Sequence, residues 1–125
     1  MRMEKIKILV VDDKKVIGDL FSFTLGYSGH DITVADHAAS AVEAVKNKKF
    51  DIAFIDIVMP GKDGVSILQE IKAIAPNLAI VMMSGYSVEE MRNKAKDLGA
   101  ITCLKKPFEM EDVKRIIKVA IGKDA

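Results

Sequence analysis

Ile52-Ala53-Phe54-Ile55-Asp56-Ile57-Val58-Met59-Pro60-Gly61 decides the fold: a short, wholly apolar run closes on a carboxylate and then breaks into a Pro-Gly loop. A run of this length with apolar residues at every position reads as a strand buried on both faces, which delivers Asp56 to the mouth of a loop. Three other runs end in the same manner. Ile8-Leu9-Val10-Val11 ends in Asp12-Asp13, Ala79-Ile80-Val81-Met82-Met83 ends in Ser84-Gly85, and Ile101 to Leu104 ends in Lys105-Lys106-Pro107. If these four strands are parallel neighbours, three carboxylates, a hydroxyl and an ammonium meet at one sheet edge. Such a set can hold a divalent cation and a phosphoryl group.

Between the strands the period changes from continuous to helical. Ile17, Leu20, Phe21, Thr24 and Leu25 share one face before Gly26 to Gly29 break the pattern. A first strand is expected over about Lys5 to Val11 and a weaker second one over Ile32 to Ala35. Asp36 is then placed to cap a helix burying Ala38, Ala41, Val42 and Val45. Asp63-Gly64 opens a third helix with Val65, Leu68 and Ile71 inward, and Pro76 stops it. Ser87 and Glu90 form a capping-box pattern for a fourth helix, which buries Val88, Met91, Ala95 and Leu98 and ends at Gly99. A last helix has Val113, Ile116, Ile117, Ala120 and Ile121 at core spacing. Five strands alternating with five helices predict an α/β fold with a parallel sheet covered on both faces, because parallel strands need crossover helices. Ligands of such open sheets sit beyond the carboxyl ends of the strands.

Composition narrows the class. A chain of 125 residues is expected to form one domain and to bury roughly two thirds of its unfolded surface. Its 19 basic and 18 acidic side chains leave a net charge of +1, which gives no field for nonspecific nucleic-acid or membrane binding. Cys103 is the single cysteine, so no internal disulfide forms and a reducing, cytoplasmic setting is expected. No apolar stretch approaches the roughly 20 residues of a membrane span. His30 at a turn and His37 near a helix start lack a second ligand at metal spacing, and both are expected to be structural or solvent-facing.

Val10-Val11-Asp12-Asp13, Asp56 with Met59-Pro60-Gly61 and Asp63-Gly64, Met83-Ser84-Gly85-Tyr86, and Lys106-Pro107-Phe108 together resemble the receiver domain of bacterial two-component response regulators. The match spans nearly the whole chain, so residues 1–125 are expected to be one receiver domain. The resemblance implies a three-layer flavodoxin-like (βα)5 fold with strand order 2-1-3-4-5, the order of the chemotaxis receiver. It also implies that Asp56 is the phosphoacceptor, Asp13 a direct Mg²⁺ ligand, Asp12 an acidic partner acting through water, and the Val58 carbonyl a further ligand. Ser84 would bond the phosphoryl group and Lys106 would pair with it, with a cis Lys106–Pro107 bond. Physical chemistry agrees with these roles. Clustered carboxylates repel one another and are tolerable chiefly around a cation, and Mg²⁺ suits oxygen donors while keeping several waters.

The implied partners are a histidine kinase or histidine phosphotransfer protein upstream and an effector downstream, reached through the face from Ser87 to Lys118. Direct binding of nucleic acid or membrane is not expected, and the protein would work as a monomer or a phosphorylation-dependent dimer. It would not be an enzyme beyond self-catalysed phosphoryl acceptance and slow self-dephosphorylation, since Val58 and Tyr86 are bulky side chains placed to exclude water. Lys14 and Lys15 follow the acidic pair, where a solvated first turn competes with contact to a donor protein. One departure stands out: Cys103 occupies the position three before Lys106, where receivers commonly carry an aromatic that swings on activation. Three other classes fit less well. A haloacid-dehalogenase-like phosphohydrolase wants a second Asp where Val58 stands, and an FMN carrier wants a hydroxyl- and glycine-rich loop after the first strand. A pseudo-receiver that only binds partners would not need the intact acidic set with Ser84 and Lys106.

Overall fold

A computed structural model describes residues 5–58, 64–85 and 88–125, without the side chains of Val88, Met91, Arg92 and Lys94. The apolar runs are strands and the amphipathic segments are helices, in strict alternation. In chain order these are β1 (Lys7–Val11), α1 (Lys15–Phe21), β2 (Asp31–Ala35), α2 (Ala38–Asn47), β3 (Ile52–Asp56), α3 (Gly64–Ile74), β4 (Ala79–Ser84), α4 (Val88–Leu98), β5 (Thr102–Lys105) and α5 (Met110–Ile121). All pairings are parallel and the strand order is β2-β1-β3-β4-β5, as the resemblance implied. Strand bounds differ from expectation by one or two residues, with β1 starting at Lys7 and β5 running from Thr102 to Lys105.

The period-2 alternation of side chains sends each strand's residues to opposite faces, and two separate cores result. Leu9, Val11, Ala53, Ile55, Ile80 and Met82 pack with Ala41 and Val45 of α2, Ile67, Leu68 and Ile71 of α3, and Ala95 of α4. On the other face Ile8, Val10, Phe54, Val81, Met83 and Leu104 pack with Phe21 and Leu25 and with Val113 and Ile117 of α5. The sheet is therefore the middle of three layers, with α1 and α5 on one side. No helix among the described residues is long and apolar enough to cross a membrane.

Several local expectations are corrected. The helix after β1 does not keep one α-helical face: Ser22–Gly26 is wound as a π-helical turn, Leu20 is 37% exposed, and Gly18 is the buried contact. Gly18 is small for a reason, since a Cβ there would lie 2.7 Å from Val34 Cγ1. The N-cap of α2 is His37 rather than Asp36, whose carboxylate instead meets His37 Nδ1 at 2.6 Å. In α3 the inward set includes Ile67, while Val65 is half-buried. His30, expected to be structural or solvent-facing, is structural: it is buried, and its Nδ1 accepts the Ile6 N–H at 3.0 Å. The Ser87 capping box, the Met59 to Asp63 loop, Tyr86 and the side chains of Val88 and Met91 lie outside the described residues.

Candidate functional site

Asp12, Asp56 and Ser84 are the charged or hydroxyl side chains that the strands bury at their carboxyl ends, each at 2% exposure or less. Their backbone is fixed because the parallel ladder continues past the strand ends. Asp12 N–H donates to Ala35 O at 3.0 Å, Ile57 N–H to Met83 O at 3.1 Å, and Lys106 N–H to Ser84 O at 2.8 Å. These bonds extend the β1–β2, β3–β4 and β4–β5 ladders, and with β1 paired beside β3 the strand ends form one edge, where the sequence placed its candidate residues.

The three carboxylates of Asp12, Asp13 and Asp56 come together, with one oxygen from each lying within 4.8 Å of the others. Asp13 is the more solvent-exposed member. An all-oxygen donor set at a site open to water fits a hard divalent cation that keeps part of its hydration. The Asp56 carboxylate is held in one orientation by the Val58 N–H, which donates to Oδ1 at 2.9 Å. Lys106 reaches across the edge: its Nζ donates to Asp12 Oδ2 at 2.6 Å and to Asp56 Oδ2 at 3.1 Å. Burial works against the charge on this ammonium, but the hydrogen bonds and charges of Asp12 and Asp56 prevail and raise its pKa above the usual lysine value. It stays charged at neutral pH. Lys105, one residue earlier and paired in register with Ser84, is exposed and points away.

Asp56, Val58, Ser84 and Lys106 line one open cleft of about 320 Å³ together with Gly85 and Lys14. The larger cleft between the ends of α2 and α3 lies at the opposite end of the sheet and contains none of these residues. Every site residue read from the sequence therefore belongs to one cluster. The Lys106–Pro107 bond is cis, as expected. Cys103 is half-buried and packs against the core beside Met82, its register partner.

Two contributors were not identified as such from the sequence. A Cβ at Gly64 would lie 2.1 Å from the carbonyl oxygen of Asp56 and 2.2 Å from Ile57 Cα, so the first turn of α3 closes on the end of β3 only with glycine there. Gly64 N–H donates to Ile57 O at 3.1 Å and ties the two together. Phe108 packs edge-on against Phe21, with ring centroids 6.1 Å apart, and so anchors the segment after Lys106 to the core. The Asp63-Gly64 turn signal pointed to the first, and Phe108 stood in the Lys106-Pro107-Phe108 motif without any sign of its contact with Phe21.

The family model for the response regulator receiver domain matches residues 8–118. Sporulation initiation phosphotransferase F of Bacillus subtilis is 31% identical over 112 residues, covering 90% of this chain and 90% of its own length. The transcriptional regulatory protein FixJ of Bradyrhizobium diazoefficiens is 32% identical over 91% of this chain, which spans 56% of that regulator. Among solved structures, the receiver domain of NtrX from Brucella abortus superposes with a TM-score of 0.84 at 35% identity, covering 92% of this chain and 98% of that one.

Proposed function

The chain belongs to the response regulator receiver domain family, and from that premise we propose that residues 1–125 act as one receiver unit with Asp56 as its phosphoacceptor. The observation that carries this reading is the convergence of Asp12, Asp13 and Asp56 within 4.8 Å, with Lys106 bonded across Asp12 and Asp56. Asp12, Asp13, Asp56 and the Val58 carbonyl would hold Mg²⁺. Bound there, the cation would supply charge neutralisation for the carboxylates and for the transferring phosphoryl group.

The chain's own residues do the rest by position. The Val58 N–H holds the Asp56 carboxylate so that an oxygen faces the cleft, where it attacks phosphorus in line with the leaving group. Lys106 needs only to exchange a carboxylate oxygen for a phosphoryl oxygen a short distance away, and Ser84 lines the same cleft. Val58, 51% exposed at the cleft, limits the approach of water and slows self-dephosphorylation.

Receiver domains are regulatory modules, and the dehalogenase-like alternative is not favoured. The phosphoryl donor would be a histidine kinase or histidine phosphotransfer protein, and the output an altered partner-binding face on α4, β5 and α5. Incubation with acetyl phosphate and Mg²⁺ should add one phosphate by intact mass, and Asp56→Asn should abolish that addition. Equal labelling of the Asn variant would overturn the assignment.

A further inference from the structure

Lys14 has no part in the machinery above, yet it lines the same cleft as Asp56, Ser84 and Lys106. Its backbone is pinned on both sides. The Lys14 N–H donates to the buried Asp12 Oδ1 at 2.9 Å, and its carbonyl accepts the Ile17 N–H at 3.1 Å as α1 begins. Only the side chain is free to move, and its ammonium is held by Asp13 Oδ1 at 3.5 Å with 60% of the side chain exposed. That separation is longer than a charge-assisted hydrogen bond, which runs about 2.7–2.9 Å, so little is lost when the ammonium changes partner. Lys106 differs on each count: it is largely buried and bonded to two carboxylates. The adjacent Lys15 pairs with Asp19 at 3.2 Å and does not line the cleft.

Resting on the phosphoacceptor role of Asp56, we propose that Lys14 is a specificity-determining residue for the phosphoryl donor, its ammonium leaving Asp13 to bind the phosphoryl oxygens of an anionic small-molecule donor such as an acyl phosphate. The transfer itself is unchanged. An Asp56 oxygen forms the new P–O bond while the donor's bridging P–O bond breaks, and the carboxylate leaves with the electron pair. Lys14 contributes a rim charge, whose effect is modest and screened by salt. A partly exposed contact of this kind corresponds to a threefold to fivefold change, on the order of what exposed ion pairs supply. The effect should fade as the Debye length contracts from about 10 Å at 0.1 M salt to about 3 Å at 1 M.

The test compares the parent with Lys14→Met and Lys14→Arg in three measurements. These are Mg²⁺ affinity, beryllofluoride affinity at saturating Mg²⁺ from amide chemical shifts, and the initial rate with acetyl phosphate from intact mass. Lys14→Met should lose about threefold to fivefold in beryllofluoride affinity and in rate at low salt. The loss should narrow at high salt, and Lys14→Arg should match the parent. Mg²⁺ affinity should hold or rise in Lys14→Met, because a like charge beside Asp13 is gone. Unchanged beryllofluoride affinity and rate in Lys14→Met would overturn the proposal, as would a loss independent of salt. A parent that takes up no phosphate would remove the Asp56 reading itself and Lys14 with it. A labelled parent with an indifferent Lys14→Met variant would remove Lys14 alone.

Discussion

The two ends of the same sheet solve opposite problems. At the amino end the charged groups are matched across neighbouring segments: Lys7 N–H donates to Asp51 Oδ2 at 2.8 Å, Asp51 N–H to Lys7 O at 2.8 Å, and Lys48 pairs with Asp31 at 2.6 Å. Lys123 adds a looser contact to Asp51 at 3.7 Å. At the carboxyl end three carboxylates crowd together, and the buried cation, Lys106, bonds two of them, Asp12 and Asp56. Balanced pairs make one end a joint, and a surplus of negative charge makes the other a receptor for cations. The same strands supply both, so the difference lies entirely in which residues follow or precede the apolar runs.

The contrast breaks first at Lys106. Lys106→Met leaves Asp12 and Asp56 buried without their ammonium and should cost about 2–4 kcal/mol in urea unfolding with EDTA present. Mg²⁺ should recover part of that loss. The matching change at the amino end, Lys123→Met, should cost under about 0.5 kcal/mol, since that pair is a third exposed and Asp51 keeps its backbone bond. Equal costs at both ends would erase the distinction drawn here.

A second comparison sharpens the carboxyl end alone. Asp13→Ala removes a charged oxygen donor from the cluster and should weaken Mg²⁺ binding by at least about tenfold, because even indirect supporting residues of metal sites cost that much. Ser84→Ala lies outside the donor set and should leave Mg²⁺ affinity within about twofold. Calorimetric titration of the two variants checks this, and similar affinities would contradict the separation of roles.

The smallest effect belongs to the amino end, at His30. Its Nδ1 accepts the Ile6 N–H, so the ring proton sits on Nε2, which is buried and has no partner among the described residues. Burial lowers the His30 pKa from 6.5 and favours the neutral ring in the fold. The unfolded chain therefore binds more protons below pH 6.5, and this contribution to stability is complete above that pH. It is lost progressively as pH falls from 6.5 toward the lowered folded value. Asp31, whose carboxyl is held below its usual 3.8 by the hydrogen bond from Lys48, titrates beneath that window. His30→Asn keeps an acceptor for Ile6 without the titration and should flatten the slope of stability between pH 6.5 and 5, roughly the range where an ordinary imidazole charges. An unchanged slope would clear His30 of the effect.

What the sequence made legible follows from how locally each feature is encoded. Apolar runs ending in Asp12-Asp13, Asp56, Ser84 and Lys106 carried both the strands and the site, because strand direction alone places those ends together. The winding after Phe21 was not legible: Phe21 and Leu25 suit an α-turn or a π-turn equally, so Leu20 was expected inward and is not. The helix starts one residue later than expected, with His37 at the cap and the Asp36 carboxylate paired to its ring, a side-chain choice that no spacing rule contains. The buried setting of His30 and the packing of Phe108 on Phe21 depend on contacts between distant segments, which a one-dimensional pattern does not hold.

The outer strands have a consequence for life at high concentration. An open sheet presents two unpaired margins, each a template for another chain's backbone. On one margin β5 is only four residues long, continues through the exposed Lys105, and then meets Pro107, which has no N–H with which to prolong a ladder. On the other, Lys48 folds over β2, bonding Asp31 at 2.6 Å and Thr33 at 3.3 Å, so a charged side chain lies along that border. The lysine that ties the end of α2 to β2 thus also puts a charge beside the strand with which another copy would have to pair.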